Sequence, residues 1–463
     1  MLWPAKRDPI IIALFILASC GKSTGQSNQV SSPIKINLTD VSQLLVAPSG
    51  LSRKPLELSN PNETTNSESK LNDVYALNKA NDISPIKIAD LISGSSNHQA
   101  TSNLAIDSNA FVLFRFDGLY QRPNQSPSPR QCVLVGVRKS DGSLACIKSN
   151  PRCDSQNTCN IDSYKSQIKS NPSGDTLFVV LGDGGLSKID LKDPTNPIES
   201  AIFTHATLGD ASMPIVNGNN DVMAQVNLAN QEKSVTTKIF SASGLSYTLP
   251  GSDQTNIISC AFSGANTFAS NFYYIALDSP SNVFSYIQLS RGEDGSFSPT
   301  TLYQEKVGTG VLGANCTQIV HNGERIFGLN WYNALNPTFP GNSVLMEYPT
   351  SAGSIQHYQL DSQFPIKTDI KSHNGGLVII GTTADGLKSG IERFDLNSNR
   401  AITILPADRY QITSISVSAN GDISFIGRRL SDQVNFVGRI PLNSVTTNET
   451  DLNQPAISIV TLQ

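Results

Sequence analysis

Residues 171–191 read NPSGDTLFVVLGDGGLSKIDL, and much of the remaining chain repeats this phrase. A Ser-Gly-Asp turn at 173–175 opens it, and the apolar run 177–181 follows. A second turn stands at Asp183-Gly184-Gly185, and an alternating run from Leu186 to Leu191 closes it. Short apolar or alternating runs bounded by Gly, Asp and Asn predict strands joined as antiparallel hairpins.

From about residue 101 the same order returns: strand, tight Gly/Asn turn, apolar strand, variable connection, alternating strand, short turn, last strand. These strands are lettered A to D. A–B turns are expected at 108–109, 173–174, 217–218, 263–264, 322–323, 374–375 and 420–421. C–D hairpins are expected at 132–146, 186–203, 238–249, 284–303, 344–360, 391–405 and from Phe436 to the end, with one more at 73–88. No stretch keeps a 3.6-residue period, so helices are not expected.

A repeat of about 40–50 residues with four strands resembles that of β-propellers, in which each sheet hides its two faces against its neighbours. The expectation is therefore an all-β β-propeller of four-stranded antiparallel blades. Seven A–B turns stand against eight C–D hairpins. If residues 34–58 supply the partner strands of hairpin 73–88, the blades number eight; otherwise seven blades carry an additional ribbon. Eight is the expectation, with a first blade at 33–92. Only Trp3 and Trp331 are tryptophans, which gives no support to WD-type or tryptophan-docked quinoprotein repeats.

The 463 residues are 38% hydrophobic and 16% charged, with a net charge of −4. No basic field exists to hold nucleic acid. The start of the chain is more telling. Lys6 and Arg7 precede an apolar core at 10–17 and a small-residue exit, the pattern of a secretory signal. Leu17-Ala18-Ser19-Cys20 resembles the lipobox of bacterial lipoproteins. That resemblance implies a signal peptide at 1–19, lipid attachment at Cys20, and an exported protein held in the cell envelope by its acyl chains. Gly21, where Asp would imply inner-membrane retention, implies the outer membrane in a diderm bacterium. Residues 20–32 are polar and read as a flexible tether to the repeat domain at 33–463.

Six cysteines remain: Cys132, Cys146, Cys153, Cys159, Cys260 and Cys316. An even number in an exported chain suggests three disulfides, with 15 connectivities open. Cys260 and Cys316 each precede an A–B turn, so a link between neighbouring blades is plausible. The other four are expected to pair among themselves, with Cys153–Cys159 the simplest loop. Cys132 and Cys146 flank a turn that does not place them directly opposite each other.

Gly182-Asp183-Gly184-Gly185, followed by Asp193-Pro194, resembles a calcium-associated phrase of soluble quinoprotein sugar dehydrogenases. Calcium enters only through that resemblance, and no corresponding histidine base or arginine-rich site accompanies it. Read locally, the phrase is a hairpin turn whose glycines supply positive φ. His321 and His373 each precede Asn-Gly in an A–B turn, but equivalent turns of adjacent blades are too far apart for one metal. No linear catalytic motif is present, so no catalytic, cofactor or metal residue is expected.

The function expected is binding of an envelope protein or a glycan by a monomeric propeller domain. The alternative is an exported propeller enzyme of lactonase, glycan lyase or calcium-dependent oxidoreductase type. Three or more carboxylates or histidines at the channel mouth would favour the enzyme. The long connections at 120–130, 149–160 and 331–342 all belong to the B–C and D–A set. The binding face is therefore expected there, with Tyr120, Arg122, Arg130, Trp331, Tyr332 and Phe339 as its candidates.

Overall fold

Each B strand of the repeat is apolar at consecutive positions, so both of its faces must leave water. The computed structural model shows how this is met. It describes residues 35–48, 51–53, 72–80, 82–86, 99–107, 111–117, 131–150, 168–171, 173–181, 184–193, 196–228, 235–241, 244, 246–249, 256–264, 270–278, 283–306, 319–331 and 343–462. Among these residues the secondary structure is all β: six four-stranded sheets and one of seven strands, with antiparallel neighbours throughout.

The opening stretch shows the local logic. Asn171 N–H donates to the Thr176 carbonyl across the first turn, where Gly174 takes a φ of 74° that disfavours side chains. Thr176–Val180 then forms strand B, every residue of it buried. Leu177 and Val179 pack on Phe111, Leu113, Leu134 and Ile147 of the sheet before. Phe178 and Val180 point the other way, onto Ala211, Val222, Ala224 and Val226 of the sheet after. Each such side chain contributes roughly 1.5–3 kcal/mol.

The same alternation repeats around the molecule. Leu44 and Val46 join the first sheet to the second, while Leu45 and Ala47 join it to Ile426, Val437 and Leu452 near the chain's other end. Eight apolar clusters among the described residues follow one another in this way, and the eighth returns to the first sheet. The sheets thus close a ring, a β-propeller-like arrangement. The A strands of successive sheets lie against one another and surround the axis.

The seven-stranded sheet holds two repeats on one continuous strand. Arg400–Val417 pairs with Ser389–Asp395 through its first part, Arg400 opposite Asp395. Through its second part it pairs with Ile423–Arg429, Val417 opposite Ile423. It serves as strand D of one repeat and strand A of the next.

Two sequence expectations need correction. The described residues of 34–58 supply one strand of the first sheet, Val41–Pro48, and not both partners of the 73–88 hairpin. The last hairpin does not run from Phe436 to the end: its D strand stops at Leu452. Beyond it, Ser458–Thr461 crosses to the first sheet and becomes its A strand, with Leu44 opposite Val460 and Leu45 opposite Ile459. An unpaired inner edge would expose a row of backbone donors and acceptors. Borrowing a strand from the far end of the sequence removes it. It also explains the missing eighth A–B turn, since strands A and B of that sheet are not consecutive in sequence.

Phe364 lies in the connection before the seven-stranded sheet and is fully buried where Gly381 and Gly390 leave room. A Cβ on those glycines would stand 2.5 and 2.7 Å from its ring. Phe364→Ala is expected to cost about 3–5 kcal/mol, read as a lower urea midpoint at unchanged slope. A loss below 1 kcal/mol, taken as roughly the scale of a tolerated core swap, would show that the ring is not a packing element.

Candidate functional site

One face of the ring is organised by the A–B turns. Asn171 accepts the Thr176 N–H through its side-chain oxygen at 3.1 Å. Its amide nitrogen lies 2.6 Å from Asp175 Oδ1 and 2.8 Å from Asn220 Oδ1 of the following sheet. Burial works against ionisation of Asp175, but hydrogen bonds from Asn171, Ser173 and Thr176 outweigh it and hold its carboxyl below the usual range. Asn217 repeats the pattern, with its oxygen accepting the Asp221 N–H at 2.9 Å and its amide donating to the Ser270 carbonyl at 2.7 Å. Asp221, fully buried, also receives Arg291 Nε from the next sheet at 2.8 Å. Asn322 donates to Ser372 Oγ at 3.1 Å and to the His373 carbonyl. Each of these three turns therefore clasps the sheet that follows it.

The two histidines of these turns reach in opposite directions. His321 Nε2 is 2.7 Å from the Ser263 carbonyl of the preceding sheet, so Nε2 carries the proton. His373 is buried with its ring against Gly421 of the following turn. Burial lowers both pKa values; for His373 the charge of Arg393 lowers it further, and for His321 the bond to Ser263 opposes the fall. Among the described residues, no three His, Cys, Asp or Glu side chains are grouped so as to hold a metal.

At the first sheet the clasp is interrupted. Its A and B strands come from distant parts of the sequence, and an open cavity of about 560 Å³ lies where the connecting turn would be. Residues 35–39 and Val41 form one wall, the turn residues Lys139, Ser140 and Asp141 another, and Leu462 a third. Ile36 N–H donates to the Gly142 carbonyl at 2.8 Å, and Lys35 lies 3.3 Å from Asp141. The Ser143 hydroxyl and backbone N–H hold the Asp141 carboxyl down at about 2. Ile36, Leu38 and Leu462 pack on the apolar cluster beneath. The cavity thus has an aliphatic floor and a rim of lysines, an aspartate and neutral polar groups.

Of the Gly182–Gly185 phrase, Gly182 and Asp183 lie outside the described residues, and Gly184 and Gly185 lead into the C strand Leu186–Asp190. Leu181 N–H donates to the Gly185 carbonyl at 2.8 Å, Gly184 has a φ of 88°, and its carbonyl accepts Ala211 N–H from the next sheet. Of the sequence candidates, Cys20, Tyr120, Arg122, Arg130, Cys153, Cys159, Cys316, Tyr332 and Phe339 lie outside the described residues. Trp331 ends a B strand opposite Ser343, and Cys260 stands on an A strand opposite Ile275. Cys132 is opposite Ser149 and Cys146 opposite Val135, about 10 Å apart along the ladder. The two are not cross-strand neighbours.

Sequence reasoning missed the clasps. Their signal is Asn-x-x-x-Asp around the turn glycine, at 171–175 and 217–221, with Ser418 and Asp422 as a variant in which Ser418 Oγ accepts the Asp422 N–H. It missed Arg291–Asp221 because the partners are 70 residues apart.

No protein-family model matches the sequence, and no curated protein matches it. Solved structures are similar in chain path only. A prolyl endopeptidase structure matches at TM-score 0.49 and 10% identity over 76% of this chain, which spans 49% of that protein's length. A putative 6-phosphogluconolactonase from Bacteroides uniformis matches at 0.44 and 11%, over 76% of this chain and 100% of the other. TolB from Acinetobacter baumannii matches at 0.33 and 10%, over 64% and 66%. The fold rests on the sheet order and cluster sequence described above, not on these likenesses.

The Asp221–Arg291 link gives the turn network a direct test. Arg291→Met should cost on the order of 3 kcal/mol, because it leaves a buried carboxylate without its cation. The double variant Asp221→Asn/Arg291→Met should cost less than the sum of the two single changes. Strict additivity in urea unfolding would mean that the two residues do not interact.

Proposed function

We propose that the chain is a lipid-anchored envelope protein whose domain, residues 33–463, is an eight-bladed β-propeller that binds another envelope protein or a glycan. The eight apolar clusters in cyclic order support the blade count, as does the division of Arg400–Val417 between two repeats. With Ser458–Thr461 as its A strand, the first sheet also has four strands, so all eight blades are alike in size.

The observation that carries the functional reading is where the chain joins the ring. Lys35 lies at the seam, on the face of the A–B and C–D turns. Cys20 is only fifteen residues earlier, a reach of at most about 50 Å when fully extended. An acyl anchor there favours that face lying towards the membrane. The strand ends from which the B–C and D–A connections leave then face away from it, and the sequence assigns Tyr120, Arg122, Arg130, Trp331, Tyr332 and Phe339 to those connections. Long connections on a rigid scaffold and aromatic side chains both suit recognition.

Cys20→Ser should move the protein from the detergent-rich to the aqueous phase of a cloud-point extraction. Unchanged partition would sink the anchor. Tyr332→Ala/Phe339→Ala should abolish recovery of the co-purifying envelope protein or glycan while leaving the melting temperature unchanged. Loss of binding only on substitution at Asn374 or Asn420 would place the working surface on the opposite face.

A further inference from the structure

Two buried nitrogens beside the A–B turns take no part in the clasps. Among the described residues, His373 Nε2 and Arg393 Nε are enclosed by protein and have no hydrogen-bond partner. Both lie where the two repeats that share Arg400–Val417 meet. His373 ends the A strand Ile366–His373 and is only 8% exposed. Its ring is wedged between two glycines. A Cβ on Gly376, at the start of the following B strand, would stand 3.0 Å from Nε2. One on Gly421, in the turn of the next repeat, would stand 2.9 Å from Nδ1. Arg393 reaches the same glycine. Its Nη2 donates to the Gly421 carbonyl at 3.4 Å, and its Nη1 donates to the Leu442 carbonyl. Beside this wedge a backbone bond joins the two repeats, Asn374 N–H donating to the Ala419 carbonyl at 3.0 Å.

The charges on the surrounding elements do not provide for a second cation. Asp422, in the turn of the next repeat, accepts the Leu442 N–H at 2.8 Å and offsets the charge of Arg393. Asp395, on the strand of Arg393, accepts the N–H groups of Asn397 and Ser398. On the strand of His373 itself, Asp369 and Lys371 pair with each other. In the preceding turn His321 bonds back to the Ser263 carbonyl and Arg325, next to Glu324, pairs with Glu347. The adjoining strand Gly376–Thr382 carries no titratable residue. None of these carboxylates bonds Nε2. A neutral imidazole therefore fills the wedge without electrostatic penalty, whereas a protonated one is a buried cation without a partner, held beside Arg393.

We propose that His373 is an acid-sensitive latch between these two repeats. The neutral ring holds the wedge closed; the protonated ring leaves it, breaks the Asn374–Ala419 bond and opens this part of the A–B turn face. Arg400–Val417 stays continuous between the two repeats, so the opening is local. Burial and the charge of Arg393 both lower the His373 pKa, in line with that geometry. The open junction then binds a proton that the closed one refuses. Closure is fully favoured above the ordinary histidine value of about 6.5. It weakens as pH falls below that value towards the lowered one. The latch requires neither acylation of Cys20 nor any ligand of the opposite face.

Hydrogen exchange of the Asn374 amide in the full chain, corrected for the intrinsic rate at each pH, reads the opening. From about pH 7 to about pH 5.5 the opening constant should rise roughly five- to tenfold. His373→Gln should remove that rise, whatever it does to overall stability. If that variant does not fold, His373→Phe supplies a neutral ring in the same wedge and should also remove it. An opening constant that ignores pH in the wild-type chain, or rises equally in the variant, overturns the proposal. The imidazole resonances of the wild-type chain give a second reading. His373 should titrate below about 6.5, and titration at or above that value overturns the latch.

Discussion

The backbone pairing of Ser458–Thr461 with Val41–Pro48 is the contact on which the other contacts depend. A four-stranded sheet with two apolar faces cannot be stable alone, because either face exposed to water forfeits the burial that ordered the strands. Each sheet here is completed by two neighbours, and only a closed cycle gives every sheet both. Opening the cycle at this seam would uncover Leu45, Ala47, Tyr75 and Leu77 on one side and Ile426, Val437 and Leu452 on the other. The seam is reinforced by polar bonds as well. Gln43, fully buried, donates to Ser424 Oγ at 2.9 Å, and Thr461 N–H donates to Ser416 Oγ at 2.9 Å.

Closure by a strand from the far end of the sequence has consequences beyond stability. It separates strands A and B of the first sheet, so that no A–B turn joins them. The cavity beside Lys35 and Leu462 occupies that gap. It also brings the segment that follows the tether onto the face of the A–B turns, which is what orients the domain in the proposed envelope setting. The same closure gathers the A strands around the axis.

The repeat was legible because its signals are local. A turn such as Ser173-Gly174-Asp175 requires a positive φ, and the run 177–181 requires burial on both faces; neither depends on distant residues. The closing strand was not legible as such. Ser458–Thr461 is four residues long and follows a hairpin directly, so adjacency in sequence assigned it to the wrong sheet. The continuous Arg400–Val417 hid a boundary between repeats for the opposite reason, since a single long strand carries no turn. The candidate site was less legible than the fold. Its clasps and its cavity arise from contacts between repeats, which a residue-by-residue pattern does not encode. Asn217, Asp221 and Arg291 are ordinary polar residues until the ring sets them side by side.

Hydrogen exchange on the full chain and on a chain ending at Ile457 tests the closure most directly. In the full chain the amides of Leu44, Leu45 and Val46 should exchange only through global opening. Without Ser458–Thr461 these amides should lose that protection, together with those of Tyr75 and Ile426, whose side chains share the seam. Equal protection in the two chains would contradict the account, because the first sheet would then be complete without its borrowed strand.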